Sequence, residues 1–231
     1  MSAGVGAIVP AAGAGRRSGA ASKLFRPVHG VPVLAHTLRA LARIAGIRQI
    51  VVVVQRHEQR RVQALARRYR LAKVRRIVIG GATRMESVRH GLAALASGTA
   101  LVLIHDAARP CVSAHVLTRT IRAAERSGAA IAAMPATDTI KQRPSRRAAR
   151  LVTLPRQTLW IAQTPQVFRA SLIQRAYARA HQAGIRVTDD AAAVERLGHR
   201  VTIVPSDASN LKITWPTDFA VAHALLNGHH R

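Results

Sequence analysis

The residues of this sequence best suited to handling a polyphosphate fall in a few short loops. Pro10-Ala11-Ala12-Gly13-Ala14-Gly15-Arg16-Arg17-Ser18 follows an apolar run, with Lys23 shortly after. Small residues let backbone N–H groups come close to an anion, while Arg17 and Lys23 could neutralise it. The loop is not a Walker A motif, because no Gly-Lys-Ser/Thr closes it, and Ser18 stands where a dinucleotide fingerprint needs its third small residue. Taken alone, its glycines fit an ordinary strand-to-helix turn.

Two further loops carry comparable chemistry. Gly80-Gly81-Ala82-Thr83-Arg84-Met85-Glu86-Ser87 opens a helical pattern, so its N–H groups, Arg84 and Ser87 could meet a base or a phosphate. A plain capping box explains Thr83 and Glu86, but not Arg84 or Ser87. His105-Asp106-Ala107-Ala108-Arg109-Pro110 sets an aspartate and an arginine at the end of an apolar run. Asp106 could bind Mg²⁺ or accept from a substrate hydroxyl; the alternative is an Asx-type turn cap paired with Arg109. His105, on an alternating strand, should point away from Asp106 and has no catalytic assignment.

The charge is unusual. Lys and Arg number 36 against 10 Asp and Glu, a formal net charge of +26 with a pI near 12.0. An anionic partner is implied, although arginines such as Arg60, Arg61, Arg67, Arg68 and Arg70 also fit the solvated face of a helix. Only four of the 36 cations are lysines: Lys23, Lys73, Lys141 and Lys212. In a chain that writes arginine for generic positive charge, each lysine points to a place needing a compact, mobile ammonium.

These loops need a scaffold that brings them together. The apolar periodicity predicts strands near Val5–Pro10, Ile47–Val54, Arg76–Ile79, Ala100–His105, Ala129–Met134 and Val201–Val204. Between and after them it predicts helices near Pro32–Ile44, Glu58–Tyr69, Thr83–Ala96, Ser113–Ser127, Arg169–Gln182, Asp189–Arg196 and Thr217–Leu226. Such alternation implies one α/β domain over 1–231, a Rossmann-like, mostly parallel sheet with helices on both faces, and ligands beyond the carboxyl ends of the strands. Residues 135–157 break the pattern with a polar, Arg- and Pro-containing stretch that reads as a projecting hairpin arm packed on another subunit.

The pieces PAAGAGRRS with Lys23, GGATRMESV, HDAARP, ATDTIK around Thr139, QTPQVF around Thr164, TDDA at 188–191 and NLKIT around Lys212 together resemble the 2-C-methyl-D-erythritol 4-phosphate cytidylyltransferase family. The likeness covers nearly the whole chain in order. It implies a nucleotidyltransferase fold and a homodimer whose arms complete each other's sites. The implied reaction joins CTP to a sugar-alcohol phosphate in isoprenoid precursor biosynthesis, with Mg²⁺ held mainly by the CTP phosphates.

By position, Arg17, Lys23, Arg156 and Lys212 would be catalytic: the first two flank the triphosphate and the last two place the acceptor phosphate. Ala11, Ala12, Gly13, Gly15, Gly80, Gly81 and Ser87 would bind the nucleotide. Asp106, Arg109, Thr139, Thr164 and Thr188 would line the acceptor pocket. Ala82 stands where the family often has an acidic residue, and Ala192 where serine is expected.

Competing readings are a cytidylyltransferase for another polyol phosphate, such as ribitol 5-phosphate, and a basic nucleic-acid-binding protein. The second lacks a recognition motif and has only seven Phe, Trp and Tyr for base stacking, so no specific nucleic-acid partner is expected. The scattered histidines and single Cys111 do not form a metal cage. No apolar run reaches the roughly 18 to 20 residues of a membrane span, and the N-terminus does not read as a signal peptide, so a cytoplasmic location without a membrane partner is expected.

Overall fold

A computed structural model describes residues 4–13, 23–145, 150–185 and 187–227. Arg17 and Gly15 therefore lie outside the described residues. The strands are β1 (Val5–Pro10), β2 (Pro27–Val28), β3 (Val31–Pro32), β4 (Ile47–Val54), β5 (Val74–Ile79), β6 (Leu101–Ile104), β7 (Ala129–Pro135), β8 (Lys141–Gln142), β9 (Val152–Thr153), β10 (Trp160–Arg169) and β11 (Thr202–Pro205). The helices are α1 (Val33–Arg43), α2 (Gln59–Arg68), α3 (Arg84–Ala93), α4 (Ala114–Ser127), α5 (Ala170–Gln182), α6 (Asp190–Glu195) and α7 (Asp218–Asn227).

Seven strands form one sheet in the order β11-β7-β10-β6-β1-β4-β5. Every pairing is parallel except those of β10, which runs antiparallel to both β6 and β7. Strand β10 is absent from the strands that apolar periodicity predicts, and the reason is physical. Its middle carries Gln163, Thr164, Pro165 and Gln166, which lack the β-branched, apolar signature of the other central strands. A register shift between Ala162 and Gln166 accommodates the proline, and three of these polar residues, Gln163, Thr164 and Gln166, are buried.

The period of two in each strand divides the core between the sheet's faces. Val5, Ala7 and Val9 of β1 join Ile50, Val52 and Val54 of β4 on the face covered by α1, α2, α4 and α7. Ile8, Val51 and Val53 point the other way, toward α3, α5 and α6. Gly91 lets α3 lie close on β1, since a Cβ there would sit 2.6 Å from Ile8 Cγ2. Ser113 caps α4 by accepting from Val116 N–H at 3.2 Å. None of the described helices is long and apolar enough to cross a membrane.

Within 135–157, β8 and β9 form a two-stranded sheet separate from the seven-stranded one. Strands β8 and β9 pair antiparallel, and Lys141 Nζ donates to Thr153 Oγ1 at 2.6 Å across them. A short 3-10 turn, Arg156–Thr158, leads back into β10. Trp160 and Ile161 at the base of this arm, and Leu151 and Val152 farther along it, remain exposed.

Candidate functional site

The ends of β1, β4, β5 and β6 and the segment before α7 surround a cleft of about 890 Å³. Its position at the carboxyl ends of parallel strands is where this architecture leaves helix N-termini and loop N–H groups uncovered. Ala11, Ala12, Gly13, Lys23, Gly80, Gly81, Ser87, Asp106 and Lys212, widely spaced in sequence, all line it. A second hollow of about 770 Å³ lies at the opposite end, by Gly46, Leu101, Arg122 and Arg169, and contains none of the expected site residues.

Close packing shapes one wall of the cleft. A Cβ on Gly80 would lie 2.6 Å from Ala12 Cβ and 2.7 Å from Ser87 Oγ, so only glycine fits there. The capping box of α3 is fully formed: Glu86 N–H donates to Thr83 Oγ1 at 3.1 Å, and Thr83 N–H donates to Glu86 Oε2 at 2.9 Å. Ser87 has a local role as well, because its hydroxyl donates to Thr83 O at 2.9 Å and accepts from Gly81 N–H at 3.2 Å.

Asp106 is the electrostatic centre of the other wall. Lys212 Nζ lies 2.9 Å from its Oδ2, Arg109 Nε 3.4 Å from the same oxygen, and Arg84 Nη2 3.9 Å from Oδ1. Burial alone would push the Asp106 carboxyl up, but Lys212, Arg109 and Arg84 together outweigh it and hold the group well below the usual carboxylate range. Its loop is fixed from several sides. Asp106 N–H donates to Thr164 Oγ1 at 3.0 Å, Thr37 Oγ1 donates to Ala107 O at 2.9 Å, and Arg109 Nη1 donates to Asn210 O at 2.6 Å.

Lys212 is thus set by a carboxylate while its side chain stays 48% exposed to the cleft. The other lysines separate by role. Lys23 lines the cleft, Lys141 braces the arm, and Lys73 donates to Ile44 O at 2.7 Å, where burial and then Arg48 lower its pKa.

Several expected acceptor residues sit elsewhere in the chain. Arg109 is 8% exposed and Thr164 4%, and neither lines the cleft; both instead position the Asp106 loop. Thr164 Oγ1 is also within 3.1 Å of His105 Nδ1. His105 points into the interior, as alternation requires, and burial pushes its imidazole down to about 4, so it is neutral at physiological pH. Thr139, Arg156 and Thr188 are exposed and do not line the cleft. Arg156 Nη1 donates to Thr137 O at 2.7 Å within the arm.

Asp106 does not fit as a direct Mg²⁺ ligand: three cationic side chains already lie within 4 Å of its oxygens. No group of three or more His, Cys, Asp or Glu suited to a metal occurs among the described residues.

Asp190 belongs to the site without being among the residues that the motifs assign to it. It is fully buried and binds Arg84 in a fork, with Nη1 to Oδ1 at 2.9 Å and Nη2 to Oδ2 at 2.6 Å, while Tyr177 Oη also donates to Oδ1. The fork aims Arg84 along the cleft wall. The scarcity of acids was a usable signal, since Asp190 is one of only ten. Its neighbour Asp189 caps α6 by accepting from Ala192 N–H at 3.0 Å, so the cap forms without the serine expected at position 192. Ala82 lines the cleft with a methyl group only.

Comparison with known proteins agrees with this geometry. The family model IspD, 2-C-methyl-D-erythritol 4-phosphate cytidylyltransferase, matches residues 5–228. The enzyme of that name from Acidobacterium capsulatum is 45% identical, over 93% of this chain and 94% of its own length. That from Syntrophus aciditrophicus is 46% identical, over 95% and 94%. Among solved structures, 4-diphosphocytidyl-2C-methyl-D-erythritol synthase from Anaerococcus prevotii superposes with a TM-score of 0.85 at 29% identity, covering 98% of this chain and 97% of that one. The cytidylyltransferase from Thermus thermophilus gives 0.76 at 33%, covering 98% and 100%. With the whole domain matched and the family's loops gathered at one end of its sheet, this chain belongs to the 2-C-methyl-D-erythritol 4-phosphate cytidylyltransferase family.

Proposed function

We infer that this chain transfers the cytidylyl group of CTP to 2-C-methyl-D-erythritol 4-phosphate, releasing pyrophosphate and forming the CDP-linked methylerythritol of isoprenoid precursor biosynthesis. The family supplies the reaction. The observation that carries its chemistry is the convergence of Lys23, Lys212 and the Asp106 loop on one cleft.

A phosphate monoester oxygen attacks the α-phosphorus in line with departing pyrophosphate. The monoester is already anionic near neutral pH, so no general base is required, consistent with the neutral, buried His105. Catalysis rests on alignment and on fixed positive charge where the transition state gathers negative charge. Lys23, with Arg17 by family position, serves the triphosphate. Lys212, oriented by Asp106, serves the acceptor phosphate. Ala11, Ala12, Gly80 and Ser87 hold the base side of the nucleotide. Mg²⁺ enters with the CTP phosphates as part of the substrate, in the cytoplasm.

The acceptor end is completed by a second subunit. Thr139 and Arg156 ride on an arm whose apolar residues, Trp160 and Ile161 at its base and Leu151 and Val152 farther out, are exposed in the single chain. An arm of this size with so little core of its own is stabilised by packing on a partner.

The test is pyrophosphate release with and without Mg²⁺, using CTP against the other nucleotides and methylerythritol phosphate against ribitol phosphate, for wild type and Lys23→Ala. Turnover confined to CTP and methylerythritol phosphate, and lost in the variant, is expected. Absence of turnover from a folded sample with every pair overturns the reading.

A further inference from the structure

Between β11 and α7 the chain runs through 206–217 without a helix or a strand, yet this stretch carries Lys212 into the cleft. Such a segment takes its shape from bonds to its surroundings rather than from a ladder of its own, so whatever ties it down also sets Lys212. Asn210, two residues before Lys212, is 2% exposed and does not line the cleft.

The Asn210 amide works as a donor. Its Nδ2 donates to Gln163 Oε1 and to Thr164 O, each at 2.8 Å, and Gln163 Nε2 in turn donates to Asp207 O at 3.0 Å. The main-chain carbonyls of Thr164 and Asp207 fix both amides, because turning either over would set oxygen against oxygen. The Thr164 carbonyl can accept because residues 163–165 fall in the register break of β10, outside its pairing with β6 and β7. Asn210 Oδ1 is buried and has no hydrogen-bond partner among the described residues, so the side chain acts through its N–H groups.

The main chain of the same residue reaches the site. Asn210 O accepts from Arg109 Nη1 at 2.6 Å, Arg109 Nε lies 3.4 Å from Asp106 Oδ2, and that oxygen holds Lys212 Nζ at 2.9 Å. These contacts close into a ring, since Lys212 stands two residues after Asn210. The buried amide pins the ring to the sheet. Ser206 N–H donates to Ala133 O at 2.8 Å and Ile213 N–H to Ala108 O at 2.9 Å, so the segment stays attached on either side of Asn210 when the amide is lost, and the ring shifts.

We propose that Asn210 is a positioning residue for the transfer: its amide, anchored at the break in β10, fixes the carbonyl that places Arg109 and, through Arg109 and Asp106, directs Lys212 at the acceptor phosphate. A displacement of about 1 Å in such a group can cost on the order of a hundredfold in rate. The assignment rests on the cytidylyl-transfer reading of the cleft and on the part given there to Lys212.

The experiment is a double-mutant cycle on the full chain: wild type, Asn210→Ala, Lys212→Ala and the double variant, each shown to be folded by circular dichroism. Steady-state pyrophosphate release is measured against CTP and against methylerythritol phosphate. Asn210→Ala should lower kcat/KM for methylerythritol phosphate by roughly tenfold to a hundredfold, with KM for CTP within about twofold of wild type. In the Lys212→Ala background the same substitution should cost less than about twofold, because the group it directs is already gone. If alanine leaves too little folded protein, Asn210→Ser, which keeps a hydroxyl donor at the position, enters the same cycle with a smaller effect of the same sign.

A residue that merely stabilised the fold would impose one factor on both backgrounds and on both substrates, and that result overturns the proposal. Unchanged activity in Asn210→Ala overturns it too, as does a Lys212→Ala enzyme as active as wild type. If wild type fails with CTP and methylerythritol phosphate, the cytidylyl-transfer reading fails rather than the role of Asn210 alone.

Discussion

The cleft and the arm use similar cations in opposite ways. In the cleft, Lys212 and Arg84 are held by half-buried Asp106 and buried Asp190, so their positions are set within one chain. In the arm, Lys141 and Arg156 bond, among the described residues, only to neighbouring arm atoms, Thr153 Oγ1 and the Thr137 carbonyl, beside exposed apolar residues. The cations of the cleft are therefore fixed by carboxylates within one chain, while those of the arm rest on local, exposed contacts. With ten acids for 36 cations, pairing is confined to a few places, and the cleft is one of them.

The sharpest way to break this contrast is to remove cleft charge. Lys23→Ala and Lys212→Ala should each lower kcat by about a hundred- to a thousandfold, by analogy with loss of one oxyanion-hole donor. A loss confined to KM in steady-state kinetics would show that these cations bind ground state and transition state alike. Next comes the support beneath Arg84. Asp190→Ala leaves the guanidinium and Tyr177 without their partner and should cost about 3 kcal/mol in urea unfolding, the low end for a broken buried pair, because Arg84 is 36% exposed.

For the arm, the expected signature is in assembly rather than in monomer stability. Trp160→Asp together with Ile161→Asp should shift sedimentation toward monomer and change unfolding free energy by no more than about 0.5 kcal/mol per exposed site. Mixing two inactive proteins, Lys23→Ala and Arg156→Ala, should restore part of the activity if the arm works on its neighbour's cleft. No recovery after subunit exchange would place Arg156 and Lys23 in the same subunit's site.

Smaller effects concern pH and salt. The Asp106 carboxyl titrates lower in the folded protein than in the unfolded chain, so its stabilisation is complete above the ordinary value of 3.8 and is lost as pH falls toward the folded one. Asp106→Asn should flatten that acid limb of the stability curve while leaving its shape above pH 5 unchanged. The net charge of +26 predicts a melting temperature that rises from low to moderate salt, and a flat response would show that the surface arginines are far enough apart to ignore one another.

Much of this was legible in the chain. Strands such as β1 and β4 announce themselves by continuous β-branched apolar runs, and the Thr83–Glu86 capping box by its spacing. Strand β10 was not, because buried Gln163, Thr164 and Gln166 owe their burial to partners distant in sequence: Asp207, Asn210, His105 and Asp189. The pairing of Arg109 with Asp106 was legible from their spacing, whereas the bonds of Thr164 to His105 and the Asp106 N–H were not, since a local pattern identifies a polar side chain without showing which way it turns.

By itself, then, the sequence determined the alternation of strands and helices, the small-residue loops at their ends and the family to which they belong. Those features depend on periodicity and on residues adjacent in the chain. Only the tertiary structure decided that Asp106 is a counter-ion shared by Lys212, Arg109 and Arg84, that Asp190 aims Arg84, and that Thr164 and Arg109 turn inward to fix the Asp106 loop. Charge neutralisation and hydrogen-bond direction are properties of groups brought together from separate loops, and they exist only once the sheet has set those loops side by side.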